Sequence, residues 1–382
     1  MLVPPTSQIA ETLSARPAPL PIGTARSGSY VPDDVRFLLN VVDLPAVGLD
    51  EKERLIQSGQ RHYSEMISAE RHPDARYLAL FDQACQTSIP RIAREMAGIA
   101  GALAGPSYGP RRRLALCSLV RAGVPYGVIL ARALKQRGVD VTHFGVSIIR
   151  DKGLDANAMK AVLQQFLPEE VVFVDGWTGK GAIAGELDRS WRALTGLNPC
   201  LVVLSDPCGH AQISGSHEDW LIPTGLLGGI VSGLVSRSIR NDSVVGKTDF
   251  DGCLLLDNMG DLDRSRSFVD GVSDAMALCR DVAAVQLPDP AITAVLRAAS
   301  QACIDRILGE FAVPSRNLIK PGIAEATRAV LRRRPERVFL GSADDPDVAA
   351  LRHLCEVDGL DITIDPTLTG PYRAVTLIRR TL

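Results

Sequence analysis

The stretch Val171-Val172-Phe173-Val174-Asp175-Gly176-Trp177-Thr178-Gly179-Lys180-Gly181-Ala182 holds the densest chemistry in the 382 residues. An apolar strand ends in a carboxylate, and a loop with three glycines then opens a helix. Gly176, Gly179 and Gly181 let successive backbone N–H groups turn toward one anion, and the helix N-terminus adds partial positive charge. Thr178 brings a hydroxyl and Lys180 a full charge. The loop therefore predicts a phosphate cradle, with Asp175 facing a sugar or a metal beside it. Gly181 stands where a P-loop needs Ser or Thr, and Val174 where it needs its first glycine, so a P-loop ATPase does not fit. The G-x-G-x-x-G of a dinucleotide site is absent. An ordinary strand–turn–helix connection is the plain alternative.

This loop resembles the PRPP-binding loop of type I phosphoribosyltransferases, with Gly176 in place of the usual second acid and one residue fewer. Ser118-Leu119-Val120-Arg121-Ala122-Gly123-Val124-Pro125-Tyr126-Gly127 resembles that family's pyrophosphate loop, and Ile148-Ile149-Arg150-Asp151-Lys152-Gly153 stands where its flexible loop belongs. The resemblance implies Mg²⁺-dependent phosphoribosyl transfer from PRPP to a small-molecule acceptor. Its PRPP site would take Ser118, Arg121, Ala122, Gly123, Arg150 and Lys152 on the pyrophosphate, and Asp175 through Gly181 on the ribose 5-phosphate. Arg121 and Asp175 would be catalytic, because fixed cations act best where charge develops on a leaving group. Mg²⁺ would be held through PRPP, with Asp175 as its one candidate protein contact. Asp206 and Tyr30 would face the acceptor, with Ser29 and Tyr63 beside them.

Four strings carry a wider resemblance: Ser27-Gly28-Ser29-Tyr30; Gln60-Arg61-His62-Tyr63-Ser64-Glu65-Met66; Leu221-Ile222-Pro223; and Val231-Ser232-Gly233-Leu234-Val235-Ser236-Arg237. They resemble a bacterial family of tellurite-resistance and stress-response operons, also labelled the StiP cysteine proteases. Its members join a phosphoribosyltransferase-like domain to a C-terminal Pelota-type RNA-binding domain. Here the tail from Phe311 to Leu382 has eleven basic residues against nine acids. Lys320 and the run Arg332-Arg333-Arg334 are its candidate RNA contacts, by electrostatic attraction to phosphates. A solvated helix end complementing its own dipole is the plain alternative.

The protease label would fall on Cys208 with His210 or His217, in Asp206-Pro207-Cys208-Gly209-His210. A thiol nucleophile needs an imidazole within reach and a third group to orient it. No familiar cysteine-protease signature surrounds Cys208, so the resemblance favours transfer over proteolysis. A degenerate domain that only senses PRPP or a nucleotide is a third reading.

The elements that must position these residues follow from periodicity. Apolar runs at 114–120, 139–149, 171–174 and 201–205 alternate with helical stretches at 124–136, 156–166 and 182–194. That order predicts an α/β fold of the type I phosphoribosyltransferase kind, a parallel sheet with helices on both faces. The loops at the strands' carboxyl ends should carry the ligand. A flexible tail is expected over 1–26, the transferase-like domain over 27–287, a connecting helix over 288–310 and a small α/β Pelota-like domain over 311–382. Hydrophobic residues make up 46% and the formal net charge is −2, so neither disorder nor a wholly basic surface is expected. Eight cysteines without a C-x-x-C pair, and no export signal, point to a reducing, cytoplasmic setting. The partners expected are PRPP, an acceptor, RNA and, for a homodimer, a second copy, with no membrane.

Overall fold

The computed structural model describes residues 24–105, 113–279 and 281–380. The expected tail as far as residue 23, and Arg111 and Arg112 of the basic turn before the first long strand, lie outside the described residues.

In chain order, the first part runs β1 (Arg36–Phe37), β2 (Asn40–Val41), α1 (Leu49–Gln57), α2 (Ala75–Ala104), β3 (Arg113–Leu119), α3 (Val124–Gln136) and β4 (Asp140–Val146). There follow β5 (Ile148–Ile149), β6 (Gly153–Leu154), α4 (Ala156–Leu163), β7 (Val171–Trp177), α5 (Ala182–Thr195), β8 (Leu201–Ser205), β9 (Ile213–Ser216), β10 (Gly252–Cys253) and α6 (Ser265–Ala277). Six strands form one sheet in the order β1-β4-β3-β7-β8-β9, and every neighbouring pair is parallel.

A parallel sheet must bury both faces, and the period of two divides its side chains between two cores. Leu114, Leu116, Val172, Val174, Val202 and Leu204 point into a core shared with α2, α3 and α6. Ala115, Cys117, Leu119, Phe173, Leu201 and Val203 point the other way, onto α4 and α5. The helices start where the chemistry allows. Asp155 caps α4 by accepting from the Asn157 and Ala158 amides, and Pro125 sits in the first turn of α3. The long helix α2 was not anticipated from a region read only as mixed and mostly helical. It passes through Pro90 and is held by a buried face of Tyr77, Phe81, Ala84, Ile92, Met96, Ile99 and Leu103.

The second part runs α7 (Pro290–Glu310), β11 (Ile319–Pro321), α8 (Ile323–Arg332), β12 (Pro335–Leu340), α9 (Ala349–Asp358), β13 (Ile362–Ile364), α10 (Pro366–Thr369) and β14 (Ala374–Ile378). Its sheet has the order β11-β14-β12-β13, with the first two pairings antiparallel and β12–β13 parallel. One face packs on α7 through Ile304, Ile307, Phe339 and Val375. On the opposite side, Ile323, Val330, Val338, Leu351 and Leu354 join the core that already holds α2 and α3. The two parts therefore share an apolar core at their seam. Among the described residues, no helix is long and apolar enough to cross a membrane.

Candidate ligand site at the seam between the two units

The loops after β3, β7 and β8 leave the same edge of the first sheet, and α8 of the second unit lies across from them. Between them is a cavity of two lobes, of about 230 and 250 Å³. One lobe is floored by the β7 loop from Asp175 to Ala184. The other lies among α1, the start of α2, the 226–230 turn and α8. Seven residues line both: Tyr63, Arg150, Arg237, Lys320, Glu325, Arg328 and Arg332. This shared wall sets five cations against one carboxylate.

Helix α8 presents Glu325, Arg328 and Arg332 from one face because residues three and four apart lie above one another. Trp177 donates its indole N–H to Glu325 Oε1 at 3.4 Å, and the Arg328 guanidinium lies 5.0 Å from the Trp177 ring. Arg121 makes a two-pronged pair with Glu70, at 2.7 and 3.0 Å, and donates a third bond to the Val235 carbonyl. Tyr63 sits between two guanidinium groups, Arg150 at 5.2 Å and Arg237 at 5.4 Å. Arg237 itself donates only to carbonyls, of Tyr63, Met66 and Ser238.

Concentrated positive charge has the electrostatic consequence it must. Burial, reinforced by neighbouring cations, pulls Lys320 down to about 8 and Arg237 down to about 10. Arg328 is lowered chiefly by burial, and Arg332 well below its usual range by burial and by Arg121 and Arg328. Glu70 is pushed up by burial, yet Arg121 and Arg332 outweigh that and hold it at about 2. Burial pushes Asp175 up to about 7, with the Gly176 N–H opposing. Among the described residues, Arg121 Nε, Arg328 Nε and Arg332 Nη2 are sealed from solvent without a hydrogen-bond partner. Three unpaired N–H groups at one cavity are costly unless a partner meets them.

The residues expected to hold a phosphoribosyl group are brought to one edge, but most have already spent their donors on the protein. Lys180 donates to the Arg316 and Ile319 carbonyls, tying the β7 loop to the second unit. The Thr178 hydroxyl donates to Asp206, and the Gly179 carbonyl accepts from Tyr372 at 2.9 Å. Gly181 has a φ of +77° and faces the His210 ring so closely that a Cβ there would lie 2.5 Å from Nε2. The anticipated cradle is thus folded onto its neighbours. Ser118 Oγ donates to the Gly123 carbonyl and bonds His143, deep in the core. Gly123 is pressed against the Val174 carbonyl. Ala122, Gly176 and Trp177 remain near or in the cavity wall. Lys152 pairs with Glu65 and lines neither lobe.

The acceptor-side expectations need correction. Tyr30 is buried away from both lobes, donating to the Val231 carbonyl and packed on Gly233. Asp206 is fully buried and accepts from Thr178, the His210 N–H and the Ala211 N–H, the work of a loop cap. Cys208 on that loop is also fully buried, 3.9 Å from Asp206 Oδ1, and burial pushes its thiol up to about 12. That is the reverse of an activated thiolate. Among the described residues, neither His210 nor His217 hydrogen-bonds it.

Of the candidate RNA contacts, Lys320, Arg332 and Arg333 face inward, whereas Arg334 is exposed. Arg333 pairs with the buried carboxylate of Glu53, Arg334 pairs with Asp50, and Lys320 and Arg332 line the cavity. The run of arginines was read as one patch, but a helix end spreads three consecutive side chains over different directions. Glu70, Arg328 and the cavity role of Arg237 were missed. The i, i+3, i+7 spacing of Glu325, Arg328 and Arg332 was the available signal. Glu70, an acid in an irregular stretch, offered none. Among the described residues, no group of three His, Cys, Asp or Glu is placed to hold a metal ion.

Comparison with known proteins gives the context. A family model described as "Tellurite-like stress resistance cysteine protease StiP" matches residues 28–273, and one described as "PELOTA RNA binding domain" matches 298–380. The cysteine protease StiP of Acinetobacter baylyi is 40% identical over 365 residues, covering 93% of this chain and 94% of that protein. A solved hypoxanthine phosphoribosyltransferase from Trypanosoma cruzi covers 50% of this chain and 92% of its own at 16% identity, with a TM-score of 0.28, which carries no argument. These matches overturn the expected PRPP-dependent transfer and its enzyme class, since both the family and the full-length relative carry a protease name. The physical source of the error is that a strand, a glycine turn and a helix make the same sequence pattern whether or not the turn's donors are free.

Proposed function

Because this chain belongs to the StiP family, we propose that it serves stress resistance by holding an anionic ligand, one with several phosphate or carboxylate groups, in the cavity between its units. The carrying observation is the shared wall: five cations, one carboxylate, and sealed guanidinium N–H groups without partners. Guanidinium forks match planar or tetrahedral oxyanions through paired N–H bonds, and each such bond is stronger than a neutral one. The test is thermal unfolding and calorimetry of the full chain with inorganic tripolyphosphate against sodium chloride of equal ionic strength. Saturable stabilisation that disappears in Arg332→Ala is expected, and equal curves in the two salts would overturn the reading.

The relative's name supports a second reading, thiol-dependent peptide hydrolysis. The observation favouring it here is that Asp206, Cys208 and His210 share one loop at the sheet edge. Once the loop opened to expose Cys208 and bring it to His210, the thiol would give its proton to His210 and attack a peptide carbonyl. The C–N bond would break as His210 passes that proton to the leaving amine, and water would hydrolyse the thioester to free the acid and the thiol. Casein cleavage that iodoacetamide blocks and Cys208→Ala lacks would establish it; cleavage equal in both proteins would remove Cys208. The Pelota match supports RNA association by the second unit, with Arg334 exposed beside Asp50 and Arg333 engaged by Glu53.

A further inference from the structure

The two lobes differ in what they could hold, and the difference narrows the ligand. The lobe on the β7 loop is walled by the glycines of that loop together with Leu119, Ile148, Trp177, Ile183 and Ile319. The other is walled by Leu49, Ile56, Leu227, Met259, Leu331 and Leu354. Of its three carboxylates, Glu325 belongs to the shared wall and accepts from Trp177, and the other two are committed. Glu70 is locked to Arg121, while Asp74 accepts from the Tyr77 N–H at 2.8 Å and faces His353 at 3.0 Å. Tyr77 also stands in this wall, its hydroxyl turned away to the Leu226 carbonyl. Ser68 Oγ, without a partner, and Lys52 also line this lobe, but a hydroxyl set against the six apolar side chains would be buried unpaired. The cations stand at the neck between the lobes, where Arg150 and Arg237 flank Tyr63.

Resting on the anion-site reading above, we propose that the ligand is an anionic amphiphile: a phosphate-bearing head on the shared cationic wall, joined to an aromatic or aliphatic body lying in the leucine-lined lobe. The head meets the guanidinium groups of Arg328 and Arg332 on the shared wall. The body displaces water from a surface that gives it few partners, and gains affinity in proportion to the apolar area covered. Neither half alone uses the whole site.

Calorimetry of the full chain with 1-naphthyl phosphate, inorganic phosphate and 1-naphthol tests this, with tripolyphosphate as the control for the anion site. The phosphate ester should bind about ten-fold or more tighter than inorganic phosphate, the scale set by burying a ring, and naphthol should bind weakest. Ala69→Trp, at an exposed residue lining the apolar lobe, should erase that margin by filling the lobe. If that variant fails to fold, Ile56→Ser should narrow the margin by stripping part of the wall. Tripolyphosphate binding with no margin for the ester overturns the amphiphile and leaves the anion site standing. No binding of tripolyphosphate or of the ester overturns both. A margin that neither variant alters places the ring elsewhere and also overturns the proposal.

Discussion

Lys180 and Arg332 face one another across the cavity from different units, and their surroundings are opposite. Two of the three Lys180 N–H donors go to the Arg316 and Ile319 carbonyls, so its charge ties the two units together. Arg332 has Glu70 near it as a source of charge but leaves Nη2 sealed and unbonded. Both are lowered by burial and by neighbouring cations. The difference lies in whether the protein has used the donors. A cation whose hydrogen bonds are complete is a structural tie, whereas one whose N–H groups are buried and idle keeps free energy in reserve for a ligand. By that criterion Lys180 is a joint and Arg332 belongs to the site.

The largest expected effect separates these two residues directly. Arg332→Ala should weaken tripolyphosphate binding by about ten- to a hundred-fold, the loss of a charge-assisted bond worth roughly 1.5–3 kcal/mol. Lys180→Ala should instead leave that affinity nearly unchanged and lower unfolding stability by about 1–2 kcal/mol, since two carbonyl contacts at the seam go unmet. Calorimetry and denaturant unfolding on both variants check it, and equal losses of affinity would abolish the distinction. The next effect is smaller and has an unusual sign. Arg328→Met removes a buried guanidinium with an unpaired Nε, so the ligand-free protein should gain about 1 kcal/mol while binding falls. A variant that lost both stability and affinity would show Arg328 to be structural like Lys180.

Much of the first sheet was legible because strands of a doubly covered parallel sheet are short apolar runs bounded by glycine. The stretch predicted as helix over 124–136 is α3, and the run at 201–205 is β8. The site was less legible. Arg121, Arg150, Asp175 and Lys180 were placed at the correct sheet edge, yet their roles depend on partners far away in sequence. Glu70 is 51 residues from Arg121, and Ile319 is 139 from Lys180. No local pattern reports whether a donor is spent. The inward turn of Arg332 and Arg333 and the pairing of exposed Arg334 were hidden for the same reason, because Glu53 and Asp50 come from the opposite end of the chain. The long helix α2 was obscured by Pro90, which reads locally as a breaker but is outweighed by the buried face of α2.

The remaining effect concerns Asp175, which shares the cavity with these cations but is a carboxyl pushed up to about 7 by burial. An unfolded chain would release that proton near the ordinary carboxyl value of about 4. The folded state therefore binds the proton more tightly, and the contribution to stability is fully present below about pH 4 and is lost as pH rises through about 7. Asp175→Asn keeps an oxygen to accept the Gly176 N–H and cannot ionise. Thermal melts of the ligand-free protein between pH 5 and 8 should show the native chain losing about 1–2 kcal/mol relative to this variant. Arg328 nearby limits the size of the effect, because its charge favours the ionised carboxyl. Superimposable pH profiles would mean that the cationic wall already compensates Asp175 without any ligand. The contrast between a satisfied loop and an unsatisfied wall would then have to be redrawn, with the wall's positive charge partly neutralised from within.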